Sequence, residues 1–134
     1  MIDIETEVFD IIATQVRKKY PKVFITGEYV KSPSSFPCVS LVETDNQVYR
    51  NTRSTDSIEN HAQLLYELNV YSNKVRRKKA ECKEIISLID ERMELLGFTR
   101  TMMAPIPNEA DATVYRMVAR YRAIVSKENV IFRR

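Results

Sequence analysis

Hydrophobic and polar positions repeat with two periods along this chain, and the changes of period mark its elements. Over residues 3–19, Ile4, Val8, Ile11, Ile12 and Val16 share one stripe at helical spacing. Acids lead that stretch (Asp3, Glu5, Glu7) and bases close it (Arg17, Lys18, Lys19), an order that complements the helix dipole. Tyr20-Pro21 ends it. Residues 22–30, KVFITGEYV, are β-branched and aromatic and predict a strand, with Gly27 expected at a bulge. KSPSSFP turns the chain. Pro37 then restricts the start of the next strand, CVSLVET, to an edge or a first position.

Residues 44–61, TDNQVYRNTRSTDSIENH, are polar and hold neither Gly nor Pro. A stretch of this length predicts an extended hairpin arm or a mobile loop between antiparallel strands. Over 62–72, Leu64, Tyr66, Leu68 and Val70 alternate with Leu65, Glu67, Asn69 and Tyr71, a strand with one buried and one half-wet face. The period then lengthens. Cys82, Ile85, Ile86, Ile89, Met93 and Leu96 form the stripe of a helix over 75–96, Gly97 is placed for a left-handed cap, and Phe98 is expected to fold back on the last turn. Residues 98–104 predict a strand and Pro105 and Pro107 a rigid turn. In 112–126, Thr113, Tyr115, Met117, Ala119, Tyr121, Ala123 and Val125 oppose Arg116, Arg120 and Arg122 with Val114, Val118 and Ile124. A helix is the rival reading there, but the split with period two favours a strand. Val130, Ile131 and Phe132 in the tail suggest that it docks. The predicted order is α-β-β-β-α-β-β. It reads as an α+β fold, one mainly antiparallel β-sheet with two helices packed on one face. The other face is wet in a monomer or apposed to a partner.

The 134 residues suit a single domain spanning 1–134. A net charge of +3 is too small to support a nucleic-acid claim by itself. No apolar run approaches the roughly 18 residues of a membrane span. The acidic start reads against a secretory signal, so the chain is expected in a cytoplasm or released from it by lysis. Cys38 and Cys82 are expected reduced and buried. His61 is the only histidine, expected at the surface, which argues against histidine-based triads and multi-histidine metal sites. Glycine occurs only at 27 and 97, so phosphate-binding glycine loops have no place here. No carboxylate is expected in an apolar setting, and the adjacent Asp90-Glu91 do not converge on one ligand. No enzyme, cofactor or metal is expected.

Interaction surface is what remains. Three features depart from a plain domain: the 44–61 segment with Arg50 and Arg53, the stripe Arg116, Arg120 and Arg122, and the run Arg76, Arg77, Lys78 and Lys79. The run reads as a solvated helix start or as a contact for an acidic partner. Bases there oppose the dipole, with Glu81 and Glu84 offsetting them at i,i+4 or i,i+5 spacing. The stripe reads as a solvated face, a subunit interface or a nucleic-acid groove. Its tyrosines lie on the opposite face, so the platform of a single-strand binder is not assembled.

The order of elements resembles the tail terminator (tail-to-head joining) proteins of long-tailed bacteriophages and prophages. An opening helix such as IETEVFDIIATQVRKKYP, strands such as FPCVSLVE, a polar excursion and a terminal β segment carry the likeness. Most typical is LLYELNVYSNKVRRKKAECKEIISLIDERMELLGF, a strand feeding a helix that GF closes. The likeness lies in pattern and length, and neck proteins of the same virions share much of it. It implies a homo-hexameric ring at the head-proximal end of the virion tail, assembled in the bacterial host cytoplasm. The ring would cap the tail tube protein and present a surface to a head-completion or neck protein. DNA would pass through its lumen without specific binding. The polar excursion would reach a neighbour or the tube, and the arginine stripe would line the lumen or pair with acids across a subunit boundary. The alternatives are a head–tail connector of the same virion and a nucleic-acid-binding α+β module.

Overall fold

A computed structural model describes residues 1–48, 61–107 and 111–126. Arg50, Arg53, most of the polar excursion, part of the turn after Pro107 and the tail from residue 127 lie outside the described residues. The order is α1 (Glu5–Lys19), β1 (Phe24–Thr26), β2 (Cys38–Val48), β3 (His61–Ser72), α2 (Lys78–Leu96), β4 (Thr99–Ile106) and β5 (Tyr115–Ser126). The fold is α+β in the expected order. Five strands form one sheet, β1-β2-β3-β5-β4, antiparallel except for β1 on β2.

Alternation along the central strands decides what each sheet face carries. Ala62, Leu64, Tyr66, Leu68 and Val70 of β3, with Met117, Ala119, Tyr121, Ala123 and Val125 of β5, are buried beneath the helices. Val8, Ile12, Ala13 and Val16 of α1 and Cys82, Ile85, Ile86, Ile89 and Met93 of α2 close that core. Gly97 adopts φ 101°, and the Gly97 and Phe98 amides donate to the carbonyls of Glu94 and Met93. That is the double bond of a Schellman cap. It turns Phe98 back so that its ring meets Tyr66 edge-on, 5.2 Å between centroids.

Four expectations change. The strand over 22–30 shrinks to Phe24–Thr26. Because β1 runs parallel to β2, the chain must leave the sheet and cross back before β2 begins. Gly27 lies just past β1 and marks no bulge. A Cβ there would meet Phe9 at 3.7 Å and the Leu41 carbonyl at 3.8 Å, which is ordinary contact. The register shifts fall instead at Glu43/Asp45 and Arg100/Met102. The turn expected from Pro105 starts later, since Pro105 and Ile106 continue β4 and stand opposite Met117 and Arg116. At the start of the polar excursion, Asp45–Val48 pair with Ala62–Leu65. Finally, α2 begins at Lys78, because Arg76 takes a left-handed φ of 67° and interrupts the first turn expected at 75.

The sheet face opposite the helices is not fully open. Residues 27–37 cross one end of it, and Val30 and Phe36 pack on Cys38, Tyr71 and Val114 in a small second core. Tyr71 donates through its hydroxyl to the Val30 carbonyl, and Ser40 to that of Glu28 at 2.7 Å.

Candidate interaction surfaces

The helix-free sheet face carries the arginine stripe. In register, Arg116 stands opposite Tyr71, Arg120 opposite Glu67 and Arg122 opposite Leu65. Arg116 donates to Asn69 Oδ1 at 2.9 Å and lies over the Tyr71 ring, 5.5 Å from its centroid. Arg120 pairs with Glu67 at 3.2 Å. Its side chain is 58% exposed, so the pair contributes about 0.5 kcal/mol or less. Arg122 has no ion pair among the described residues. Beside these arginines lie half-buried Val42, Leu65, Ala104 and Ile124, and a cleft of about 360 Å³ between Tyr29, Thr44, Glu67 and Thr101. Mixed apolar and arginine surface of this kind matches the composition of subunit contacts.

The basic run occupies another surface, at the start of α2 and on the helix side of the molecule. Arg76, Lys78, Lys79 and Lys83 line a cleft of about 500 Å³. The α2 N-terminus has no side-chain cap, so its dipole adds to the positive field. The expected i,i+4 and i,i+5 pairs are replaced by longer ones: Lys74 with Glu81 at 3.9 Å and Arg77 with Glu84 at 2.9 Å. Lys74 and Arg77 precede the first turn and reach along the helix to these acids. Tyr20, at the end of α1, donates to Glu84 at 2.8 Å. This bond, followed by the nearby Arg77 charge, holds the Glu84 carboxyl below its usual range. Burial and Glu84 together push the Tyr20 phenol up to about 12. Lys78 is tied to the Ala112 carbonyl at 3.3 Å.

The run and the stripe are therefore not one patch, because the sheet lies between them. Lys83 and Lys19 join the basic end of the molecule without having been singled out. Lys79 and Lys83 are an i,i+4 pair readable on a helix, but the approach of Lys19 depends on how α1 packs on α2.

One carboxylate contradicts the expectation that none sits in an apolar setting. Glu43 on β2 buries its Oε1 beside the buried Tyr66 hydroxyl, and a hydrogen bond between the two holds the carboxyl down against the effect of burial. Burial, then the nearby Glu5 and Asp3 charges, raises the Glu43 carboxyl. Glu43 follows Val39 and Leu41 at period two, a signal that could have marked it, but the cover that α1 supplies is not local. His61 opens β3 half-buried rather than at the open surface. Both cysteines are free and buried, their thiols pushed up to about 11 at Cys38 and about 12 at Cys82, chiefly by burial. They are poor nucleophiles at neutral pH. Among the described residues no cluster of His, Cys, Asp or Glu is placed to hold a metal, and no helix is long and apolar enough to cross a membrane. Compared with known proteins, the chain matches no family model and no curated protein.

Proposed function

We propose that this protein is a non-catalytic assembly protein of a long-tailed phage or prophage, a tail terminator. Copies form a ring that caps the tail tube and presents the opposite side to the head. The observation that carries this reading is the β3-to-α2 passage within the order α-β-β-β-α-β-β. A two-faced strand feeds directly into a helix whose first turn is basic, and a Gly-Phe cap folds that helix back on the same strand. This is the segment on which the family resemblance rests. The arginine-bearing sheet face and the basic end of the helix layer add two separate surfaces, as a subunit with different neighbours on different sides requires. On this reading the protein resides at the head-proximal end of the tail and needs no cofactor.

A second reading, nucleic-acid binding, is favoured by the basic cleft at the start of α2. It predicts affinity for duplex DNA that falls steeply with salt.

The test is to add purified protein to growing tail tubes and image them by negative stain. The expected result is closed rings at tube ends and arrested tube growth. Unrestricted growth, with protein that sediments as a monomer at every concentration with and without tubes, refutes the proposal.

A further inference from the structure

The exposed stripes of the two helices carry the same charge gradient in space although they run in opposite directions along the chain. On α1 and the residues before it, Asp3, Glu7, Asp10, Thr14 and Lys18 succeed one another on the solvent side. That stripe passes from acidic through neutral to basic. On α2 the sequence is Lys79, Lys83, Ser87, Glu91 and Glu94, which passes from basic through neutral to acidic. Arg92 is exposed beside the second stripe.

The two helices are antiparallel. Tyr20, at the end of α1, bonds Glu84 near the start of α2. At the other end, the Glu43 amide donates to Glu5 in the first turn of α1, and Glu43 lies opposite Tyr66. Tyr66 in turn meets Phe98, just past the end of α2. Acidic ends therefore coincide, and so do basic ends, giving the helix layer two oppositely charged poles.

Helix stability accounts for only half of this. Acids at the start and bases at the end of α1 complement its dipole. On α2 the exposed order is reversed: the start holds Lys78 and Lys79, with the buried Glu81 the one acid of the first turn, and the last turn holds Glu94 and no base. Its exposed charges, though not Glu81, oppose the dipole at both ends. A charge pattern that works against its own helix, yet reproduces in space the polarity of the neighbouring one, serves the surface of the layer.

The poles lie about 20 Å apart, the length of α1 at ~1.5 Å per residue. That is between two and three times the screening length of about 8 Å at physiological salt. They do not neutralise one another within one molecule, and each is available to another. Exposed apolar side chains accompany both, Val75 beside the basic pole and Leu95 beside the acidic one, at 82% and 53% exposure.

We infer that the basic pole of the helix layer of one copy, centred on Lys79 and Lys83, docks on the acidic pole of the next, centred on Glu7 and Asp10. The contact is heterologous, one surface meeting a different one, so it propagates around a closed ring or along an open filament. This inference rests on the ring-forming reading above and names the surfaces that meet.

Charge reversal tests it. Lys79→Glu with Lys83→Glu reverses the charge at the centre of the basic pole, and Glu7→Lys with Asp10→Lys reverses it at the centre of the acidic one. All four side chains are exposed, and circular dichroism verifies that each variant folds. Sedimentation velocity compares them with the unaltered protein at about 0.05 M and about 0.5 M salt. The expected result is association of the unaltered protein that weakens about tenfold or more in high salt. Each double variant alone stays dispersed, because like charges then meet at the centre of the contact, and an equimolar mixture of the two associates, because the two reversed centres face each other with opposite charge.

Three outcomes overturn the inference. If either double variant alone forms rings as the unaltered protein does, pole-to-pole docking is wrong while the ring-forming reading stands. If the mixture fails to associate while the unaltered protein does, the two poles do not meet each other. If Lys79→Glu with Lys83→Glu abolishes duplex DNA binding and leaves association unchanged, the basic pole serves nucleic acid. An unaltered protein that stays monomeric even beside tail tubes removes the ring-forming reading itself.

Discussion

Ser72, the last residue of β3, joins the strand to the helix that follows. Its hydroxyl donates to Glu81 Oε1 at 2.8 Å and accepts from the Lys74 amide at 3.3 Å. Ser72 is fully buried and Glu81 8% exposed, and Glu81 is the only acid in the first turn of α2. Lys74, the ion-pair partner, stands 3.9 Å off and is half-exposed. Ser72→Ala thus leaves a buried carboxylate with its best donor gone. A hydrogen bond to a charged group contributes about 1.5–3 kcal/mol, and the longer neutral bond adds about 0.5 kcal/mol. A loss of about 2–3 kcal/mol lowers the midpoint of a domain this size by about 8–12 °C. Urea denaturation followed by circular dichroism measures the loss, at a protein concentration low enough that association does not contribute. In a Glu81→Gln background the same change should cost about half as much, since the acceptor is no longer charged. A Ser72→Ala variant within about 0.5 kcal/mol of the parent, or an equal loss in both backgrounds, refutes the reasoning.

Glu43→Gln should stabilise the protein near neutral pH by about 1 kcal/mol, by removing a half-buried charge that lies beside those of Glu5 and Asp3. A carboxyl raised in the folded state supports folding fully below the ordinary 4.5 and loses that support as pH rises through the folded value. The gain should therefore vanish in acid, and an equal gain at both pH values refutes this origin. Gly97→Ala forces a side chain into a left-handed backbone and should cost about 1–2 kcal/mol in the same denaturation assay. Ile89→Ala, at a fully buried position between α2 and the sheet, should cost about 2–5 kcal/mol, and a loss under 1 kcal/mol would place Ile89 outside the core. Thiol labelling at mildly alkaline pH should be roughly a thousandfold slower in the native protein than in urea, because Cys38 and Cys82 are buried and protonated.

The sequence by itself determined the element types and the faces they bury. Period two in β3 and β5 sorts side chains strictly between two sides, and the Ile85, Ile86, Ile89 and Met93 stripe admits only one buried side of α2. Gly97 announced its cap because few other residues adopt that backbone. These signals are local, written within one turn or a few strand positions. What spans the chain was not written there. Glu43 is raised because α1, far away in sequence, covers β2. Residues 27–37 leave the sheet because β1 chose a parallel neighbour. The basic run and the arginine stripe looked alike in sequence, and only the sheet between them makes them separate surfaces. The poles of the helix layer exist because α1 and α2 pack antiparallel, which superposes two charge gradients that oppose each other along the chain. Burial and field depend on the distance between elements, and that distance is set only when the whole chain packs.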